Sequence, residues 1–172
     1  MNDTIKTLIE RRSCKKLKSE QIKKEELDLI LQAGMNAPTG KGMQSPIILV
    51  LQDKEKIEKL REINKKILGR DVDPFYNAPT VLVVMADKNM FTYVEDGSLV
   101  LGNMMNAAFS LGVGSCWIHR AKEEFETPEG KALLKEWNIP ENYEGVGHCI
   151  LGYSDMEYPE PKPRKKDYVR YI

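Results

Sequence analysis

Cations crowd the stretch ERRSCKKL at residues 10–17. The stretch sets four cations around a serine and a cysteine: Arg11, Arg12, Ser13, Cys14, Lys15 and Lys16. Like charges this close repel one another unless an anion lies among them, and arginine supplies the forked donors that phosphate binds. The stretch is therefore a candidate anion site. The simpler alternative is a solvated helix end whose cations complement the helix dipole.

Two other stretches have the chemistry to complete such a site. KPRKKDYVR at residues 162–170 holds five cations and one acid. NAPTGKGMQSP at residues 36–46 is dense in turn-forming residues, so we predict a loop that offers backbone donors. Within it, Gln44 carries an amide suited to the polar edge of a ring. A ligand with a phosphate and a polar-edged ring fits these residue types.

A metal site is the first alternative, because Cys116-x-x-His119 is followed later by His148-Cys149. Structural zinc needs four ligands that converge on one point. His148 and Cys149 are neighbours in a predicted strand, so their side chains point to opposite faces. Buried structural cysteines are the better interpretation, and we predict no metal.

The stretch GVGSCW at residues 112–117 begins like a dinucleotide-binding motif. It lacks the third glycine and precedes a strand instead of following one, so the physical basis of that motif is absent. We predict a helix C-cap at Gly112 instead. Cys116 and His119 would make a nucleophile and base pair only with a third, orienting group, and none can be named.

Composition limits the class of protein. The 172 residues, of which 41% are hydrophobic and 30% charged, are enough for one domain (residues 1–172) with a real core. No apolar run approaches the roughly 20 residues of a membrane span, and the N-terminus lacks the apolar stretch of a signal peptide. Three widely spaced cysteines argue against a disulfide framework, so we expect a cytoplasmic protein without a membrane partner.

The charges are distributed unevenly although the net charge is zero. Residues 1–70 carry 16 Lys and Arg against 10 Asp and Glu, and residues 71–172 carry the reverse. A nucleic-acid binder more often has a net basic domain. A local anion site is therefore favoured over a nucleic-acid partner.

Hydrophobic periodicity predicts the elements that must position these residues. Helices are predicted at residues 4–12, 24–35, 53–68, 97–112 and from about 127, and strands at 47–51, 81–85, 115–118 and 146–153. Asp96 is expected to cap the helix at 97–112, and Thr127-Pro128 to start the last one. Alternating strands and helices indicate a mixed α/β class.

The helix at 97–112 is apolar on nearly all sides, so all its sides must be covered. Its small residues Gly102, Ala107 and Ala108 permit close approach of a neighbour. A domain of this size has difficulty enclosing such a helix alone. We therefore predict a homodimer.

Together the stretches resemble the nitroreductase family of FMN-binding flavoproteins. RRSCK resembles the family's R-R/H-S-x-R/K opening, and APTGKGMQSP resembles its APS-x-x-N-x-QPW loop. DGSLVLGNMMNAAFSLGVGSCWIH is similar to its aspartate-led dimer helix followed by LGLGSCWIG. EPKPRKK resembles its basic C-terminal phosphate clamp. The four matches fall in family order and span nearly the whole chain.

The resemblance implies a role for each matched residue. The FMN phosphate and part of the pyrimidine edge would be held by Arg11, Arg12, Ser13 and Lys15. The loop would line the cofactor through Gln44 and the backbone of Pro38, Thr39 and Gly40. The segment passing the isoalloxazine ring, with a backbone N–H for N5, would be Trp117, Ile118, His119 and Arg120. Further phosphate contacts would come from Lys162 and Arg164, with Lys165 or Lys166 able to replace one of them.

Several positions depart from the family pattern. Gly42 stands where the loop asparagine is usual, and Ser45-Pro46 replace Pro-Trp. His119 and Arg120 stand where many members have Gly or Glu-Gly. These departures leave FMN binding intact and alter the substrate pocket.

The resemblance also implies the fold and the reaction. The fold would be an α+β, three-layer α/β sandwich with a central mixed, largely antiparallel sheet, in a homodimer with two FMN sites at its interface. The activity would be that of an NAD(P)H-dependent FMN oxidoreductase that reduces nitroaromatic, quinone or related small acceptors by a ping-pong mechanism. Lys15 or Arg11 would stabilise the reduced flavin. His119 would act as a proton donor to the acceptor or through its backbone alone.

Three alternatives remain open. A flavin-binding or storage protein would hold FMN without turnover. Dehalogenation or flavin fragmentation would be a different activity within the same superfamily. A nucleic-acid module would use the two basic ends, which lack interleaved aromatic residues.

Overall fold

The computed structural model describes all 172 residues and forms six helices around one four-stranded sheet. The helices are α1 (Asp3–Glu10), α2 (Lys24–Met35), α3 (Lys54–Leu68), α4 (Tyr93–Ser110), α5 (Ala121–Glu126) and α6 (Pro128–Glu136). The strands are β1 (Pro46–Leu51), β2 (Thr80–Asp87), β3 (Gly114–Ile118) and β4 (Tyr143–Gly152). A short 3-10 turn lies at Gly40–Gly42.

The sheet has the strand order β1-β2-β4-β3, so β1 and β3 are its edges. All three strand pairs are antiparallel, so the mixed pairing we expected is absent within this chain. Helices α3, α5 and α6 pack on one face, and α2 and α4 pack on the other. Because both faces are covered, β2 is apolar from Val81 to Ala86 rather than alternating. The result is the predicted three-layer α+β sandwich.

Local signals in the sequence mark most helix ends. Asp53 accepts a hydrogen bond from the Lys56 N–H at the start of α3, and Thr127 caps α6 with Pro128 at its first position. Gly112 has a φ of +75°, the left-handed conformation expected just beyond a helix end. These caps confirm the predicted boundaries.

The main differences from the prediction are two helix boundaries and one missed helix. Helix α1 ends at Glu10, so Arg11 and Arg12 lie beyond it in non-helical backbone. Helix α4 begins at Tyr93, and Asp96 therefore lies in its first turn instead of capping it. Helix α5 was not predicted, because its six residues are too few to show a clear period.

Helix α4 is only partly covered within this chain. Its buried residues contact the sheet and α2. Leu99, on the opposite side, is 46% exposed. Helix α1 lies against α4 and has no buried residue, and its apolar residues Ile5, Leu8 and Ile9 are each about half exposed. The two helices thus leave apolar surface without a partner in the chain.

The chain beyond β4 has little regular structure. Ser154 forms a bridge with Leu17, and residues 159–172 are exposed and outside any helix or strand. None of the helices has the length and apolar character that a membrane crossing needs.

Candidate functional site

The basic segment after α1 is attached to the edge of the sheet. The Cys14 N–H donates to the Ser115 carbonyl at 2.8 Å, and the Lys18 N–H donates to the Tyr153 carbonyl at 2.9 Å. These bonds bury Cys14 and leave Ser13 and Lys15 exposed. The polar side chains of the segment therefore face outward along β3.

The two arginines differ in how their guanidinium groups are used. Arg12 Nη1 donates to the carbonyls of Ile9 and Arg11, both at 2.8 Å, and so closes the end of α1. Arg11 Nη1 is buried and has no hydrogen-bond partner. Because an unpaired polar nitrogen in a buried position is costly, Arg11 Nη1 is the group of this segment that gains most from an anionic acceptor.

Other side chains converge beside Arg11 at the Cys116 thiol of β3. Burial raises the pKa of this thiol, while the Ser13 hydroxyl and the charges of Lys15 and Arg11 act in the opposite direction. The side chains of Arg11, Ser13 and Lys15 therefore all lie near this thiol. The three cysteines are free and buried, as we predicted.

A buried carboxylate fastens the loop that contains Gln44. Asp96 Oδ1 accepts from the Gly40 N–H at 2.9 Å, and its Oδ2 accepts from the Ser45 hydroxyl at 3.1 Å and the Thr92 hydroxyl at 3.2 Å. These donors satisfy a carboxylate that is 2% exposed. Asp96 thus positions the loop, a role that the sequence prediction of a helix cap missed.

The loop backbone itself is constrained. Lys41 and Gln44 have φ values of +53° and +52°, which are uncommon for residues with side chains. A Cβ atom at Gly40 would lie 2.2 Å from Thr92 Oγ1, so only glycine fits there. Pro38 and Gln44 are exposed, and Thr39 Oγ1 accepts from the Gln44 N–H. Strained backbone of this kind clusters at ligand sites.

The segment after β3 makes a sharp turn into α5. Trp117 is half-buried and Ile118 is buried, while His119 is exposed. Arg120 has a φ of +79° and Nε donates to Asn64 Oδ1 at 2.9 Å. The His119 carbonyl accepts from Asn64 Nδ2 at 3.1 Å. The His119 side chain is therefore exposed to solvent, and its backbone is held by the Asn64 side chain.

The structure brings some predicted site residues together and leaves others apart. The basic segment lies on β3, whereas the Gln44 loop precedes β1 on the opposite edge, three strand spacings or about 14 Å away. Lys162, Arg164, Lys165 and Lys166 are exposed and form no ion pair. His148 and Cys149 point to opposite faces of the sheet, as their adjacency predicted.

The fold is a three-layer α+β sandwich with the basic segment on one edge of its sheet. The Nitroreductase family model matches residues 8–70 and 69–153 of this chain. The chain belongs to the nitroreductase family.

Relatives and solved structures agree with this assignment. A provisionally named NADH dehydrogenase/NAD(P)H nitroreductase of Archaeoglobus fulgidus is 32% identical over 91% of this chain and 88% of its own. An NADPH-flavin oxidoreductase of Vibrio harveyi is 28% identical over 98% and 72%. A nitroreductase of Bacteroides fragilis, whose crystal structure has bound FMN, is 27% identical, covers both chains completely and superposes with a TM-score of 0.92.

Proposed function

We propose that this protein is an FMN-dependent oxidoreductase that uses NADH or NADPH to reduce small acceptors such as nitroaromatics or quinones. The observation that carries the proposal is the buried, unpartnered guanidinium nitrogen of Arg11 beside Ser13 and Lys15. Two cations and a hydroxyl form the donor set that a phosphate group needs, so these residues fit the phosphate end of FMN. The relative with bound FMN supports the same ligand.

Each part of the site has a distinct task in this proposal. When bound, FMN would supply the redox chemistry, taking electrons from NAD(P)H and passing them to an acceptor in alternating steps. Arg11 and Lys15 supply positive charge that favours added negative charge on the bound group. Phosphate contacts are completed by Arg12, Ser13, Lys162, Arg164 and Lys165. The lining comes from Pro38, Thr39, Gly40, Gln44 and the segment Trp117–Arg120.

We also propose that the site is built from two copies of the chain. The basic segment and the Gln44 loop lie on opposite edges of the sheet, so a second copy is needed to bring one against the other. The exposed apolar residues of α1 and α4 supply a surface for that copy. Residues 1–172 would form one FMN-binding domain in each subunit.

His119 is our candidate for contact with the acceptor. Its side chain is exposed at the end of β3, where no other part of the chain engages it. An imidazole can donate a proton or a hydrogen bond as the acceptor gains electrons. The acceptor belongs to the class of small oxidised molecules, such as nitroaromatics or quinones.

The test is an absorption spectrum of the purified protein, followed by titration with NADH and NADPH and a panel of acceptors. We expect flavin bands, one FMN per chain, and NAD(P)H oxidation that depends on the acceptor. A protein that binds FMN but oxidises neither nucleotide with any acceptor would be a flavin-storage protein. A colourless protein that refuses added FMN would overturn the proposal.

A further inference from the structure

Three polar side chains are completely buried beneath the turn at Ile118–Arg120. They come from three elements: Asn64 from α3, Glu124 from α5 and His148 from β4. Burying an amide, a carboxyl group and an imidazole is costly unless each has a partner. Their partners therefore indicate why the fold tolerates them.

The three side chains contact one another in a row. His148 Nε2 lies 2.8 Å from Glu124 Oε2, and Glu124 Oε1 accepts a short hydrogen bond from Asn64 Nδ2. The His148 contact is a close approach without the near-linear alignment of a hydrogen bond. Phe75 packs its ring against His148, with 5.3 Å between ring centroids, and closes the cluster from the side. We call Asn64, Glu124 and His148 the buried triad.

The triad holds three consecutive residues of the turn. His148 Nδ1 lies 3.2 Å from the Ile118 carbonyl oxygen, and Asn64 Nδ2 donates to the His119 carbonyl. Asn64 Oδ1 accepts from Arg120 Nε. Each of the three residues of the turn thus has one contact with the triad.

The Ile118 carbonyl fixes the orientation of the His148 ring. A carbonyl oxygen only accepts, so His148 Nδ1 carries the hydrogen that faces it. The other ring nitrogen, Nε2, then faces the Glu124 carboxyl group at 2.8 Å.

The turn needs this support because its backbone is strained. Arg120 has its φ of +79°, in the left-handed region that disfavours residues with side chains. Its carbonyl accepts from the Glu124 N–H at 2.9 Å, which begins α5 immediately. Such a conformation persists only where surrounding contacts enforce it, and it is typical of functional sites.

We propose that Asn64, Glu124 and His148 are positioning residues that fix the backbone of Ile118–Arg120 as a preformed wall for the flavin ring. This inference rests on the proposed function, which places that segment along FMN. A fixed wall costs no reorganisation on binding and acts on the electron affinity of the ring through the dipoles that it presents. The triad should therefore control both the affinity and the reduction potential of the bound flavin.

The test compares two fully buried positions on α3, one turn apart. Asn64→Leu removes every polar contact of Asn64, and Leu60→Ala is the matched control, since Leu60 is equally buried in the core and has no polar group to bond the turn. We expect Asn64→Leu to weaken FMN binding at least tenfold by fluorescence titration and to shift the flavin reduction potential. Leu60→Ala should lower the melting temperature and leave the potential unchanged.

A second pair of variants avoids the core. Arg120→Gly and Arg120→Ala both lose the Asn64 contact, but only alanine must also bear the left-handed conformation. If the turn must hold this conformation, the alanine variant should bind FMN roughly two- to fivefold more weakly than the glycine variant. Equal affinities, or a reduction potential in Asn64→Leu that matches wild type, would overturn the triad's role. Wild-type protein that takes up no FMN would overturn the proposed function and this inference together.

Discussion

The two ends of β3 differ in whether their polar groups have partners within the chain. Beside its first residues lies the basic segment, where Arg11 has a buried guanidinium nitrogen without a partner. The turn at Ile118–Arg120 begins at its last residue, and each residue of this turn contacts the buried triad. The basic segment has a guanidinium nitrogen without a partner, whereas each residue of the turn already has a contact to the buried triad.

The difference separates affinity from geometry. An unpaired charge gains most when an anion arrives, so the basic segment should supply much of the binding free energy. A turn that is already satisfied gains little on binding, but it places the ring reproducibly. Changes in the first region should therefore alter how tightly FMN binds, and changes in the second should in addition alter the reduction potential of the bound flavin.

The largest effect is expected from a change that separates the two copies of the chain, because both regions would then lose FMN. Leu99→Asp puts a charge on the exposed apolar surface of α4, where we place the second copy. Burying that charge between subunits would be prohibitive, so the dimer should dissociate and FMN should be lost with it. Size-exclusion chromatography with light scattering and the flavin spectrum measure both.

Val72→Asp is the control for this prediction, because Val72 is comparably exposed and lies outside α1 and α4. It should leave the assembly and the flavin unchanged. A Leu99→Asp protein that stays dimeric with FMN bound would place the interface elsewhere.

The next effect concerns the phosphate end alone. Arg11→Ala removes a charge-assisted contact worth about 1.5–3 kcal/mol, so FMN affinity should fall tenfold or more. It also removes a buried charge without a partner, so the flavin-free protein should melt no earlier than wild type. Isothermal titration and differential scanning calorimetry give the two quantities.

Arg12→Ala is the matched variant for Arg11. Its Nη1 closes the end of α1 through two backbone carbonyls, so this change should lower the melting temperature of the flavin-free protein. Equal losses of FMN and riboflavin affinity in Arg11→Ala would mean that Arg11 supports the fold and not the phosphate.

A smaller effect is expected at the Gln44 loop. Asp96→Ala leaves the Gly40 N–H and the hydroxyls of Ser45 and Thr92 without their common acceptor. A loss of about 1–3 kcal/mol should fall mainly on the loop. Hydrogen exchange should therefore accelerate at residues 38–45 more than in β2, and equal acceleration in both would assign Asp96 to global stability.

The smallest structural effect is expected at His119. Because its side chain is exposed and only its carbonyl is bound, His119→Ala should keep FMN and its reduction by NAD(P)H. Reoxidation by an acceptor should slow, because the imidazole no longer donates a proton or hydrogen bond to it. Stopped-flow measurement of both half-reactions decides this, and unchanged reoxidation would leave His119 with a backbone role only.

Much of the fold could be predicted because its signals are local. The cap at Asp53, the Thr127-Pro128 start and the Gly112 end each depend on residues within one helical turn. Helix α5 escaped prediction because its six residues are held by tertiary contacts. Asp96 was assigned to a cap because its true partners, Gly40 and Ser45, are more than 50 positions away.

The candidate site divides in the same way. The basic segment is recognisable from its composition. The buried triad instead joins Asn64 to Glu124 and His148, which lie 60 or more positions further along the chain. Weak signals were nevertheless present. Asn64 lies on the apolar face of a predicted helix, and His148 lies in an otherwise apolar strand. A polar residue at a core position needs a partner, and its identity depends on the folded chain.

The central claim is that the unpartnered guanidinium nitrogen of Arg11, beside β3, binds the phosphate of FMN. Isothermal titration of flavin-free wild-type protein with FMN, and separately with riboflavin, tests it most directly. We predict one FMN per chain and riboflavin binding at least tenfold weaker, because riboflavin lacks the phosphate that Arg11 would bind. Riboflavin binding as tight as FMN binding, or no binding of FMN, would contradict the claim.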